Sequence, residues 1–150
     1  MQATVDNATI RQWWDESPSA NAVLVTGRVF DVLEVRAVPG ALALTKMARD
    51  SVDTGPVALL GDEQMHFYVS TRGAPMDEDE WWSCGLDCSP ESATPTGEVR
   101  WHCRESYVLA PPSRFGAGQS VRWVRPPAGR PLPDAVRMLE YLADAIEGRR

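Results

Sequence analysis

Residues 22–35, AVLVTGRVFDVLEV, decide how the chain reads. Two apolar runs, Ala22–Val25 and Val29–Val35, are split by Thr26-Gly27-Arg28. β-Branched runs around a Gly-containing break predict two strands around a tight turn. On the N-terminal side, Ile10, Trp13 and Trp14 fall at i, i+3 and i+4, one face of a short helix. Asn7 or Thr9 is its expected cap, and Pro18 stops it.

On the C-terminal side, Pro39-Gly40 opens a second helix, roughly 41–50, with Leu42, Leu44 and Met47 expected inward. Pro56–Leu60 and Met65–Ser70 flank Gly61-Asp62-Glu63-Gln64, a hairpin pattern. Residues 73–97 are polar and Pro-containing, with an acidic run Asp77–Glu80 before Trp81-Trp82, and read as a solvated loop. Strands resume at Glu98–Cys103, Ser106–Ala110 and Val121–Val124. After a Pro-rich connection, Asp134 caps a last helix with Val136, Leu139, Leu142 and Ile146 expected inward. This order predicts an α+β fold, one domain over 1–150, with a mixed or mainly antiparallel sheet flanked by helices.

The 150 residues hold 15 Lys+Arg against 21 Asp+Glu, and 43% are apolar, enough for one core and too many for a disordered chain. No stretch suits a membrane span, and the N-terminus lacks a basic segment followed by an apolar one, so a cytoplasmic protein with no membrane partner is expected. The charge is segregated. Residues 1–99 carry 6 basic and 16 acidic side chains, whereas residues 100–137 carry seven Arg against Glu105 and Asp134. That segregation keeps nucleic acid open as a partner despite the acidic total.

Cys84, Cys88 and Cys103 are an odd set, which argues against a disulfide framework and leaves free thiols or zinc. Zinc would need Cys84, Cys88 and Cys103 with His102. Adjacent strand residues point opposite ways, so His102 and Cys103 do not both ligate easily. Free thiols are the expectation.

Three stretches in fixed order resemble the N-terminal domain of bifunctional DNA primase/polymerases, in the archaeo-eukaryotic primase superfamily. They are WWDESPSANAVLVTGRVFDVLEV (13–35), QMHFYV (64–69), and RWHCRESYVLAPPSR (100–114) followed by VRWVRPP (121–127). The first carries a "P-x-A-N" turn and the third an "APPS" segment. The likeness is greatest to short stand-alone versions found in actinobacteria. It implies a primase/polymerase fold with an RRM-like core.

The resemblance also implies nucleotidyl transfer, with two acids two residues apart on one strand and a third on a later strand holding two divalent metals, Mg²⁺ or Mn²⁺. A histidine on the middle hairpin would bind the nucleotide's phosphates. Carried over by position, the first acid falls on Glu34, the second on Arg36, the histidine on His66 and the third acid on Arg100. One Glu and two Arg replace three carboxylates, which opposes binding of two cations. Asp31, three residues from Glu34, belongs to the opposite strand face unless a bulge intervenes.

The resulting expectation is a degenerate, catalytically inactive primase/polymerase-like domain that binds nucleotide, nucleic acid or protein and needs no cofactor. The candidate phosphate contacts are His66, as the resemblance implies, and Arg36, Arg100, Arg114, Arg122 and Arg125, because guanidinium matches phosphate oxygens bidentately. Each has a plainer reading. Glu34 pairs with Arg36 on a half-exposed strand, His66 is a surface histidine beside Tyr68, and the arginines are scattered solvated charges. Two rival functions remain: an active enzyme in which Glu34 (with His66, and with Asp31 or Asp62) builds a reduced metal site, and a pure protein-interaction domain.

Overall fold

The computed structural model describes residues 4–71, 98–104 and 106–148. In chain order they form α1 (Asn7–Glu16), β1 (Ala22–Val25), β2 (Phe30–Arg36), α2 (Ala37–Arg49), β3 (Val57–Leu60) and β4 (Gln64–Ser70). These are followed by β5 (Val99–His102), β6 (Tyr107–Ala110), β7 (Arg114–Phe115), β8 (Gln119–Arg125) and α3 (Ala135–Glu147). The fold is α+β. A six-stranded sheet runs β5-β2-β4-β3-β8-β7, and β1 pairs only with β6 in a separate ribbon. Every pairing is antiparallel.

The expected strands form, and β3–β4 is the expected hairpin. The two runs that decide the reading do not pair with each other, however. β1 leaves the main sheet to join β6, because Gly27 turns the chain at φ +80 against the β5–β6 connection. A Cβ on Gly27 would sit 2.4 Å from the Arg104 Cα, so only glycine lets the two backbones pass. The short β7 went unread in the sequence.

The principal core lies between the sheet and the two later helices. Leu33, Val35, Val57, Phe67, Val69, Val99 and Trp101 pack against Ala43 and Met47 of α2 and against Ala135, Met138, Leu142 and Ile146 of α3. Leu44, Met47, Leu139, Leu142 and Ile146 face inward as expected, and each helix stripe differs from the expectation at one position. Leu42 and Val136 are exposed, while Ala43 and Ala135 are buried. At its first turn α2 approaches the sheet closely; a Cβ on Gly40 would lie 2.6 Å from Met65 Sδ of β4. Asp134 caps α3 as expected, accepting from Arg137 N. The cap of α1 is Asp6 rather than Asn7 or Thr9, with Oδ2 accepting from Thr9 N at 2.8 Å.

A second apolar cluster covers part of the other sheet face, with Val32, Ala58, Tyr68 and Val121 packed against Val108 of β6. The ribbon is held there by the two family-like segments. Asn21 accepts from Arg114 N at 2.9 Å and donates to Arg114 O at 2.8 Å. Ser113, fully buried, accepts from Ala22 N at 2.8 Å and donates to Ala22 O at 3.1 Å. The "P-x-A-N" and "APPS" residues thus form a reciprocal clasp.

Candidate functional site

Beside that second cluster, on the same sheet face, three adjacent strands β5-β2-β4 bring polar groups together. Glu34 stands directly opposite His66 on one side and opposite Arg100 on the other. His102, two residues beyond Arg100 and paired with Val32, shares the face because alternate strand residues point the same way. Glu34 Oε2 is 2.9 Å from His66 Nε2 and 3.2 Å from His102 Nε2. The two imidazoles lie 5.9 Å apart, centroid to centroid. His102 Nδ1 is 3.0 Å from Ser106 Oγ.

Burial grades the three groups. His66 is 2% exposed, His102 13% and Glu34 15%, so the cluster is sheltered yet reachable from solvent. Burial opposes ionisation of Glu34, but hydrogen bonds from His102 and His66, with their charge, outweigh it and hold the carboxyl well below the usual carboxylate range. Burial pushes His66 below the usual imidazole range, against the hydrogen bond and charge of Glu34. An ionised Glu34 therefore accepts from His66 Nε2–H. His66 Nδ1 and the Tyr68 hydroxyl are buried without a hydrogen-bond partner among the described residues. Burial also pushes the Tyr68 hydroxyl well above the usual phenol range.

Two plainer readings are corrected here. His66 is not a surface histidine, because β4 lies inside the sheet with packing on both faces. Glu34 pairs with the two imidazoles rather than with Arg36, which is exposed at the end of β2. His102 is the member that sequence reasoning weighed only as a zinc partner of the cysteines. The usable signal was that His66 and His102 are the chain's two histidines.

Asp31 lies on the helix-facing side, where its Oδ2 accepts from Trp101 Nε1 at 3.2 Å. The β2–β4 register is unbroken between Asp31 and Glu34, so no bulge turns Asp31 toward the site. Asp62 stands in the exposed β3–β4 turn, 3.7 Å from Arg122. Neither joins Glu34.

The candidate arginines separate. Arg36 and Arg100 flank Glu34 on one face as diagonal neighbours, with a Cβ spacing of about 7–8 Å. Arg122 pairs with Leu59, a residue of the helix-facing core, and so points to the other face. It also lies four strand steps from Arg100, or about 19 Å at ~4.8 Å per step. Arg125 sits beyond a register shift on β8, and Arg114 on the edge strand β7. One basic groove through all of them does not form.

Cys103 is disulfide-bonded, which corrects the free-thiol expectation and takes its sulfur out of a thiolate metal set. Cys84, Cys88, the Asp77–Glu80 run, Trp81 and Trp82 lie outside the described residues. Trp101 belongs to the core, and Trp123 packs against Tyr68 at 5.3 Å, so both Trp are structural.

The donor set can be tested against a pair of Mg²⁺ ions. Mg²⁺ demands oxygen ligands, and two-metal phosphoryl chemistry needs carboxylates shared between the ions. Within the paired strand residues of β5, β2 and β4, this face offers one carboxylate, two imidazoles and two guanidiniums. That set does not fit two Mg²⁺ ions.

Among the described residues, no helix is long and apolar enough to cross a membrane. No curated protein and no solved structure matches the chain. Residues 1–135 match the family model described as bifunctional DNA primase/polymerase, N-terminal. With that match covering most of the chain, and an α+β fold in which the family-like segments are clasped together, the protein belongs to the bifunctional DNA primase/polymerase N-terminal family.

Proposed function

We propose that this domain keeps the primase/polymerase scaffold but binds phosphate-bearing ligands, single-stranded nucleic acid or nucleotide, without carrying out two-metal nucleotidyl transfer. The observation that carries this reading is that Glu34 stands between two imidazoles and opposite Arg100, where a two-Mg²⁺ site needs further carboxylates. The Glu34, Arg36 and Arg100 positions together carry a formal charge of +1. A phosphate is attracted to such a face, and exposed guanidiniums can grip it bidentately.

Ligand contact is assigned to Arg36 and Arg100 rather than to Arg114, Arg122 and Arg125. The test is binding of a labelled single-stranded oligonucleotide across a salt series. Affinity is expected to fall steeply with salt, and an Arg36→Ala/Arg100→Ala double variant to lower the slope of log K against log salt by about 1–2. An Arg114→Ala/Arg122→Ala variant is expected to match the parent. Absence of nucleotide and oligonucleotide binding at low salt would sink the proposal.

A second reading is supported by the ribbon. Val23, Val25 and Tyr107 alternate onto its outer face and are exposed. An apolar strip of that kind suits a protein partner. Retained partner binding with no nucleic-acid affinity would favour it.

A further inference from the structure

Both histidines of the chain present Nε2 to the same carboxylate oxygen, one from each strand flanking β2. We propose that Glu34, His66 and His102 form a mononuclear site for a borderline divalent transition ion, zinc foremost, held by Glu34 Oε2 and the two Nε2 atoms. This inference goes beyond the ligand-binding reading and does not depend on it.

The spacing supports the site. One potential ligand atom from each of the three residues lies within 4.8 Å of the others. An ion bonded at about 2.0–2.1 Å to tetrahedral ligands sets them roughly 3.3–3.4 Å apart. The two carboxylate–imidazole separations, 2.9 and 3.2 Å, are within about half an ångström of that spacing. All three side chains stand on paired strands, which fix them better than loops would.

Orientation supports it as well. His102 Nδ1 is held by Ser106 Oγ, the kind of outer partner that aims a ligating imidazole. His66 is fixed by burial instead. In the metal-free protein both Nε2–H groups donate to Glu34. On loading, each ring keeps one proton, on Nδ1, and gives the Nε2 lone pair to the ion, any surplus proton leaving to solvent. Ser106 then accepts from His102 Nδ1–H.

The donor types set the selectivity. Two imidazoles and one carboxylate suit Zn²⁺, Co²⁺ or Fe²⁺ and are poor for Mg²⁺ and Ca²⁺. Three protein ligands leave a fourth position, and partial exposure of Glu34 and His102 turns it toward solvent. The ion outweighs the single carboxylate, so that position favours an anionic oxygen.

The test uses the chelator-treated full chain without nucleotide or nucleic acid, which separates its outcome from that of the oligonucleotide assay. Calorimetry with Zn²⁺ is expected to give one ion per chain, uncontested by millimolar Mg²⁺. Cobalt is expected to give visible absorption without sulfur-to-metal charge transfer. Histidine ¹⁵N spectra, which contain two rings, are expected to switch both from Nε2–H to Nδ1–H. His102→Gln should weaken binding about 100-fold or more and Ser106→Ala about 10-fold, with unchanged circular dichroism. No binding, thiolate charge-transfer bands, or undiminished affinity in folded His102→Gln would overturn the proposal.

Discussion

Glu34 and His66 face each other across β2 and β4 with Oε2 and Nε2 2.9 Å apart, inside a face that shelters the imidazole almost completely. A carboxylate in this setting is both an acceptor for two rings and a negative charge beside Arg36 and Arg100 on that face.

Substituting Glu34 tests how much that arrangement stabilises the fold. Glu34→Gln keeps an acceptor but removes its charge, and should cost about 1.5–3 kcal/mol, the range for hydrogen bonds to charged groups. Glu34→Ala leaves both rings without an acceptor and should cost more. Urea denaturation with unchanged m values reads the difference; equal stability of parent and Glu34→Ala would contradict the geometry.

Acid should destabilise the metal-free protein in two steps. His66 is held below its ordinary value of 6.5, so the unfolded chain takes up a proton first and stability falls as pH drops below about that value. Glu34 is held below 4.5, so its stabilisation is present above that pH and is lost further as pH falls toward its folded value. Denaturation midpoints between pH 7.5 and 3.5 measure both. A His66→Gln variant that still folds should lose the first step.

The clasp between the family-like segments is a structural device, so its loss should spare binding. Ser113→Ala removes two hydrogen bonds and leaves half-buried backbone groups of Ala22 unpaired, for an expected cost of about 1–3 kcal/mol. Asn21→Ala should cost somewhat less, because its partners are exposed. Thermal unfolding reads the loss. A fall in oligonucleotide affinity in a still-folded Ser113→Ala protein would instead place the clasp in the ligand site.

Local patterns showed the elements of this fold better than their partners. The runs at 22–35 are strands as their residue types imply, yet nothing in them says that β1 pairs with a strand more than 80 residues away. Hydropathy favoured Leu42 and Val136 as core residues, whereas the helix orientation buries Ala43 and Ala135 one position away. Alternation placed His66 and Tyr68 on one face but could not show that Val108 of the ribbon covers part of it. Glu34 and His66 were legible because both lie in segments with a family likeness. His102 was not, because its approach to Glu34 is a cross-strand diagonal that exists only once the β2–β5 register is known.

Template-directed extension of a labelled primer by the purified chain, with Mg²⁺ or Mn²⁺, tests most directly whether the Glu34–His66–His102 face has left two-metal chemistry behind. Product no greater than in a protein-free control is expected. Robust synthesis that disappears in folded Glu34→Ala and His66→Ala variants would contradict it.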